Sequence, residues 1–130
     1  MENKVVAHLR DGRIHKGITH DFDPDGEDFH ILPAEGGGVP LHVSIEEMKA
    51  LFYVKDYLGN REFVPRKRFE GAGEGRKVIV TFMDGEIVYG VVNSFDEKIR
   101  GFFMAPSDPD DNNMRIFVVR HSVRSLQFPG

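Results

Sequence analysis

The chain repeats itself. Residues 10–23, RDGRIHKGITHDFD, return as MDGEIVYGVVNSFD at residues 83–96 without a gap. Sliding the sequence by 73 positions pairs Lys4 with Lys77, Val5 with Val78, Asp11 with Asp84, Gly12 with Gly85, Ile14 with Ile87 and Gly17 with Gly90. Phe22, Asp23, Phe29 and Pro33 meet Phe95, Asp96, Phe102 and Pro106 in the same register. A shift of two more residues pairs Val43 with Val118 and Leu51 with Leu126, so the later loop is longer in the second copy, as length differences between copies usually are. Two copies in 130 residues leave each near the lower limit for an independent core. They are therefore expected to share a buried interface. Val6, Ile79 and Met83 point the same way, because they place apolar groups opposite the first strand's core residues.

Within each copy the pattern is that of short strands. Val5, Ala7 and Leu9, like Val78, Val80 and Phe82, alternate with their neighbours as half-buried strands do, and Asp-Gly at 11–12 and 84–85 supplies a hairpin turn. A second strand runs towards Phe22 or Phe95. A third lies near Asp28–Leu32 and Gly101–Ala105 and stops at Pro33 and Pro106, which lack the N–H a ladder needs. GGG at 36–38 and DPDDNN at 108–113 read as loops. The last two strands fall at about Val39–Val43 and Lys49–Val54, separated by one helical turn in which Ser44 is placed to cap and Glu47 to answer it; RHSV at 120–123 takes that place in the second copy. Five strands with a helical turn before the last describe an SH3-like small barrel. The expected fold is all-β: a first barrel over 1–54, a connector over 55–75 and a second barrel over 76–130, packed against each other.

Composition narrows the function. There is no cysteine, so disulfide frameworks, thiolate zinc sites and cysteine nucleophiles are excluded. No apolar run is long enough to span a bilayer and no secretory leader is recognisable, so a soluble cytoplasmic protein without membrane contact is expected. The net charge of −4 is unevenly placed: residues 1–54 carry 5 basic against 10 acidic groups, and residues 76–130 carry 7 of each. No broad basic face for duplex nucleic acid follows from that balance.

Gly12, Gly17, Phe22 and Asp23, and again Gly85, Gly90, Phe95 and Asp96, carry the spacing Gly, four residues, Gly, four residues, Phe-Asp. This resembles the first motif of the Sm-like family, and VSIEEMKALFYV and VVRHSVRSLQF resemble its closing strand pair. The resemblance implies a strongly bent five-stranded barrel whose edge strands pair between subunits, often as rings. The family's RNA site uses an Asn soon after the first motif and an Arg-Gly pair in the second; PDGEDF after Asp23 and EKIRG after Asp96 match neither, and no binding residue is carried over. FYVKDYLGN, residues 52–60, is also similar to a segment recurring in bacterial proteins with no assigned activity.

The candidate sites are few. The connector interleaves Tyr57, Phe63 and Phe69 with Arg61, Arg66, Lys67, Arg68 and Arg76. Aromatic faces stack bases while cations hold phosphates, so Tyr57, Arg61, Phe63, Arg66, Lys67 and Arg68 form the candidate surface for single-stranded RNA or another ligand. DFDPDGED at 21–28 opens like a calcium loop, but Leu32 stands where the closing acid belongs, and it reads as a turn. His8, His15, His20, His30 and His42 all fall in the first copy, facing Thr81, Val88, Asn93, Phe103 and Phe117 in the second; no spacing supports a metal. RHSVR matches the Arg-x3-Arg half of the PilZ family's cyclic-dinucleotide signature, without room for the other half. No nucleophile elbow or phosphate-cradling loop is present. The chain therefore reads as a non-enzymatic binding, assembly or regulatory module without a cofactor, a homo-oligomer or protein binder through its edge strands. The alternatives are an RNA-binding Sm-like protein and, further off, a metal protein or enzyme.

Overall fold

The computed structural model describes residues 3–34, 38–57, 75–93, 100–108 and 112–129. Ten strands form: β1 (Asn3–Leu9), β2 (Ile14–Thr19), β3 (Asp28–Pro33), β4 (Leu41–Ser44), β5 (Met48–Val54), β6 (Arg76–Phe82), β7 (Ile87–Val92), β8 (Gly101–Pro106), β9 (Asn113–Val119) and β10 (Val123–Gln127). Two 3₁₀ turns, Ile45–Glu47 and Arg120–Ser122, precede β5 and β10. All strands belong to one open, antiparallel ladder ordered β10-β6-β7-β8-β9-β5-β1-β2-β3-β4. Among the described residues there is no α-helix, and no helix is long and apolar enough to cross a membrane.

The two halves of the ladder use the same local chemistry at the same offset. Leu9 N–H donates to Arg13 O (2.9 Å) as Phe82 N–H does to Glu86 O (2.8 Å), closing loops with Gly12 and Gly85 at φ 95° and 94°. That is a three-residue hairpin with glycine in the left-handed region, where a Cβ would be strained. Asp11 and Asp84 each accept from the backbone N–H two residues on (3.0 Å both), which explains the Asp of each Asp-Gly. Arg10 N–H to Glu47 O and Met83 N–H to Ser122 O (2.8 Å both) hold each hairpin to its 3₁₀ turn. The helical turns stand where expected, but the Ser44 side chain makes no capping bond, since a single 3₁₀ turn leaves few N–H groups to cap.

The second strand of each half must bend closely over the third. A Cβ on Gly17 would lie 2.0 Å from Leu32 O, and one on Gly90 2.3 Å from Ala105 O, so only glycine permits the approach.

Two apolar clusters hold the ladder, and the central strands feed both. Val5, Ala7 and Leu9, Leu51 and Tyr53, and Phe117 and Val119 enter the first cluster with Phe29, Ile31 and Met48. From the opposite faces of the same strands, Val6, Ala50, Phe52, Val54, Ile116 and Val118 enter the second with Val78, Val80 and Phe82. Period-two alternation sends neighbouring side chains to opposite faces. With both faces buried, the runs LFYV and IFVV lose the apolar-polar alternation of a half-exposed strand. Each large side chain so buried contributes about 1.5–3 kcal/mol. The expected shared interface is thus supplied by Val6, while Ile79 is half-buried and Met83 is 58% exposed at the β6–β7 hairpin. Met83 lies at the turn, beyond the reach of either cluster.

Candidate functional site

The seam between the halves is the β5–β9 ladder, in which Ala50, Leu51, Phe52 and Tyr53 stand opposite Val118, Phe117, Ile116 and Arg115. It joins the fifth strand of the first half to the fourth of the second. Around it sits a polar clamp. The Ser122 hydroxyl donates to Lys49 O (2.7 Å), and the Lys49 ammonium, only 12% exposed, donates to Asp84 (2.7 Å) and Glu86 (2.5 Å) from a position 4.6 Å over the Phe82 ring. Burial alone would lower the Lys49 ammonium, but the two carboxylates outweigh it and raise it above its ordinary value. The bond from Lys49, with the Glu86 N–H, holds Asp84 below the usual carboxylate range.

The depressed Asp84 contributes stability that is present above about pH 4 and is lost as pH falls through its lower folded value. Lys49→Met is expected to lower stability by about 1 kcal/mol at neutral pH and by less in acid, because the carboxylates are exposed. Urea midpoints of both proteins across about pH 3 to pH 7 check this, and parallel curves would exclude the clamp as a source of acid sensitivity.

On the other side of the seam, the Arg115 guanidinium stacks 4.3 Å from Tyr53 and 4.6 Å from Phe103, and Phe103 packs edge-on against Phe117 at 5.1 Å. Burial raises the Tyr53 hydroxyl above its ordinary value. The Arg100 guanidinium crosses to the Gly26 carbonyl. Arg100 and Arg115 line a groove of about 770 Å³ with Phe103 and Phe117, and Pro24 and Asp25 of the first half stand at its margin. Its two guanidinium groups are therefore already engaged in joining the halves.

Among the described residues the ladder ends at β4 and β10. Beside β4, His30 and His42 are cross-strand partners with rings 5.4 Å apart. His30 Nδ1 meets Asp21 (2.9 Å) and His42 Nε2 meets Asp28 (2.8 Å). Partial burial works to raise Asp21, but the His30 N–H and imidazole prevail and hold it low. Val39, Leu32 and Leu41 make this margin apolar, the first two exposed. At the other end Arg124 donates to Met83 O (2.9 Å), and the Arg76 guanidinium lies 4.0 Å over Phe128.

The sequence candidates fare unevenly. Arg61, Phe63, Arg66, Lys67, Arg68 and Phe69 lie outside the described residues. Tyr57 is half-buried against the second cluster, with Lys4 5.8 Å over its ring and Lys16 donating to its carbonyl (3.3 Å). In the acidic loop Asp23 accepts from the Asp25 N–H (2.9 Å), a local turn. Of the histidines, His8 packs on Phe52 and only His30 and His42 are brought together. Among the described residues no group of three or more His, Asp or Glu is placed to hold a metal ion. Lys49 and Arg115 were not singled out from sequence, and no motif marks them; Arg100 stands near the position of the Sm-like motif's Asn but was not taken as a site residue.

The fold and its edges define an all-β protein with two similar five-stranded halves in one ladder. Residues 1–130 match a family described as "Family of unknown function (DUF6982)", and the protein belongs to that family. No curated protein and no solved structure matches the chain.

Proposed function

We propose that the protein is a non-enzymatic assembly module: two Sm-like five-stranded barrels in tandem, over residues 1–54 and 76–130, that pair with further copies through their edge strands. One observation carries this reading. At the seam a fifth strand takes a fourth strand, and the two ends of the ladder are the remaining fourth strand, β4, and the remaining fifth strand, β10. Repeating the seam between chains seats β10 of one copy on β4 of the next. By the offsets of 73 and 75, Ser125, Leu126 and Gln127 then face Val43, His42 and Leu41. Arg124 takes the place of Lys49, and it meets Asp11 where Lys49 meets Asp84 and Glu47 where the seam has Ser122. Asp11 and Glu47 complement the charge of Arg124, although Arg13, already paired with Asp11 at 2.7 Å, stands where the seam has Glu86. Among the described residues no strand pairs with the outer side of β4 or β10, so their outward N–H and C=O groups supply the ladder bonds, and the apolar margin at Leu32, Val39 and Leu41 supplies burial.

The pairing is heterologous, so it closes into a ring or continues as a fibre. Polar His42, Ser125 and Gln127 replace the seam's Phe117, Ala50 and Phe52, which makes the outer contact weaker than the inner one. Light scattering over a dilution series is expected to show assemblies larger than one chain at about 100 μM that dissociate on dilution, as weak, small interfaces do. A strict monomer throughout would refute the proposal.

A further inference from the structure

The seam and the free edge differ at one pair of rings. In the seam, Phe103 and Phe117 sit side by side, Phe117 is 1% exposed, and Arg115 stacks over Phe103 and Tyr53. The positions 73 and 75 residues earlier are His30 and His42, with their rings in the same cross-strand relation and both half-exposed. Opposite them, in the outer pairing, Phe128 takes the place of Tyr53 and brings Arg76 on its face.

We propose that the His30–His42 pair is a proton-operated gate on the docking of β10 from a second copy: the edge accepts it with both imidazoles neutral and releases it when they are protonated. This rests on the edge-pairing reading above. A neutral imidazole is a flat aromatic ring that can stand where the seam has phenylalanine and can lie under a guanidinium. Asp21 and Asp28 then offer unneutralised carboxylates to the incoming Arg76. Protonation reverses both terms. Two imidazolium rings claim those carboxylates, face each other across 5.4 Å, and meet Arg76 as a third cation in a contact that excludes water. Among the described residues the other titratable groups at this corner are His20, exposed just beyond β2, Glu27 before β3, whose carbonyl accepts from Ile45 N–H, and Glu46 and Glu47 in the turn after β4, which itself carries none besides His42. Because the docked state favours the neutral rings, affinity falls on acidification.

Sedimentation of the full chain at about pH 8 and about pH 6 tests this, beside His30→Phe/His42→Phe, which installs the seam's residues, and His30→Gln/His42→Gln, which keeps a polar edge without a proton switch. The wild type is expected to associate roughly tenfold or more weakly at the lower pH, whereas both variants associate alike at the two values. Equal wild-type association at both pH values would overturn the gate and leave edge pairing standing. A response to pH in the variants equal to that of the wild type would also overturn it. A wild type monomeric at every pH would remove edge pairing and the gate with it.

Discussion

Gly17→Ala is expected to cost about 3 kcal/mol of folding stability, at the upper end of what overpacking does, because the added Cβ meets backbone and not a yielding side chain. At 2.0 Å from Leu32 O and 2.6 Å from the Ile31 methyl, it would force β2 away from β3 and break the pairs Gly17–Pro33 and Ile18–Leu32. Gly90→Ala is expected to behave similarly, although one of its neighbours, the Met104 methyl at 2.4 Å, is able to move. Gly12→Ala serves as the contrast. Its φ of 95° strains an alanine by only about 1–2 kcal/mol, and nothing lies within 4 Å of the new carbon. Urea denaturation of the three variants checks the order. A Gly17 variant no less stable than the Gly12 variant would show that the close bend is not what fixes this glycine.

Phe117→Ala is expected to be as damaging, at about 3–5 kcal/mol, and its effect is expected to cross the seam. The ring belongs to β9 in the second half, yet it is 1% exposed within the first half's cluster, against Phe22 (5.0 Å) and Phe103 (5.1 Å). Ile116 and Val118 beside it face the second cluster. The deletion should therefore lower one common transition, with hydrogen-exchange protection lost in both halves together. Two separate transitions, with residues 3–54 still protected, would show that the halves are independently stable.

Much of this architecture was legible because local chemistry writes it plainly. Asp-Gly needed a turn, Gly17 and Gly90 marked bends, and Pro33 and Pro106 ended strands; each acts through its own backbone or its next neighbour. The seam was not legible, because it pairs strands far apart in the chain. Its trace was the uninterrupted apolar runs at 51–54 and 116–119, which say that both faces are buried but not by what. The histidines show the same division. Their confinement to the first copy and their Phe103 and Phe117 counterparts were readable; that His30 stands opposite His42 required the β3–β4 register. The connector surface was chosen by composition alone, and the one described member, Tyr57, is already packed.

The edge-to-edge account is tested most directly by a cross-link. The chain has no cysteine, so Leu41→Cys in one preparation and Gln127→Cys in another, mixed under mild oxidation, report only on the contact between copies. Directly opposed residues in an antiparallel ladder fall within disulfide reach. The account predicts a covalent dimer of one chain of each kind, and little or none when His42→Cys, which faces the other side of the sheet, replaces Leu41→Cys. No Leu41→Cys to Gln127→Cys bond, or equal yields from both mixtures, would contradict it.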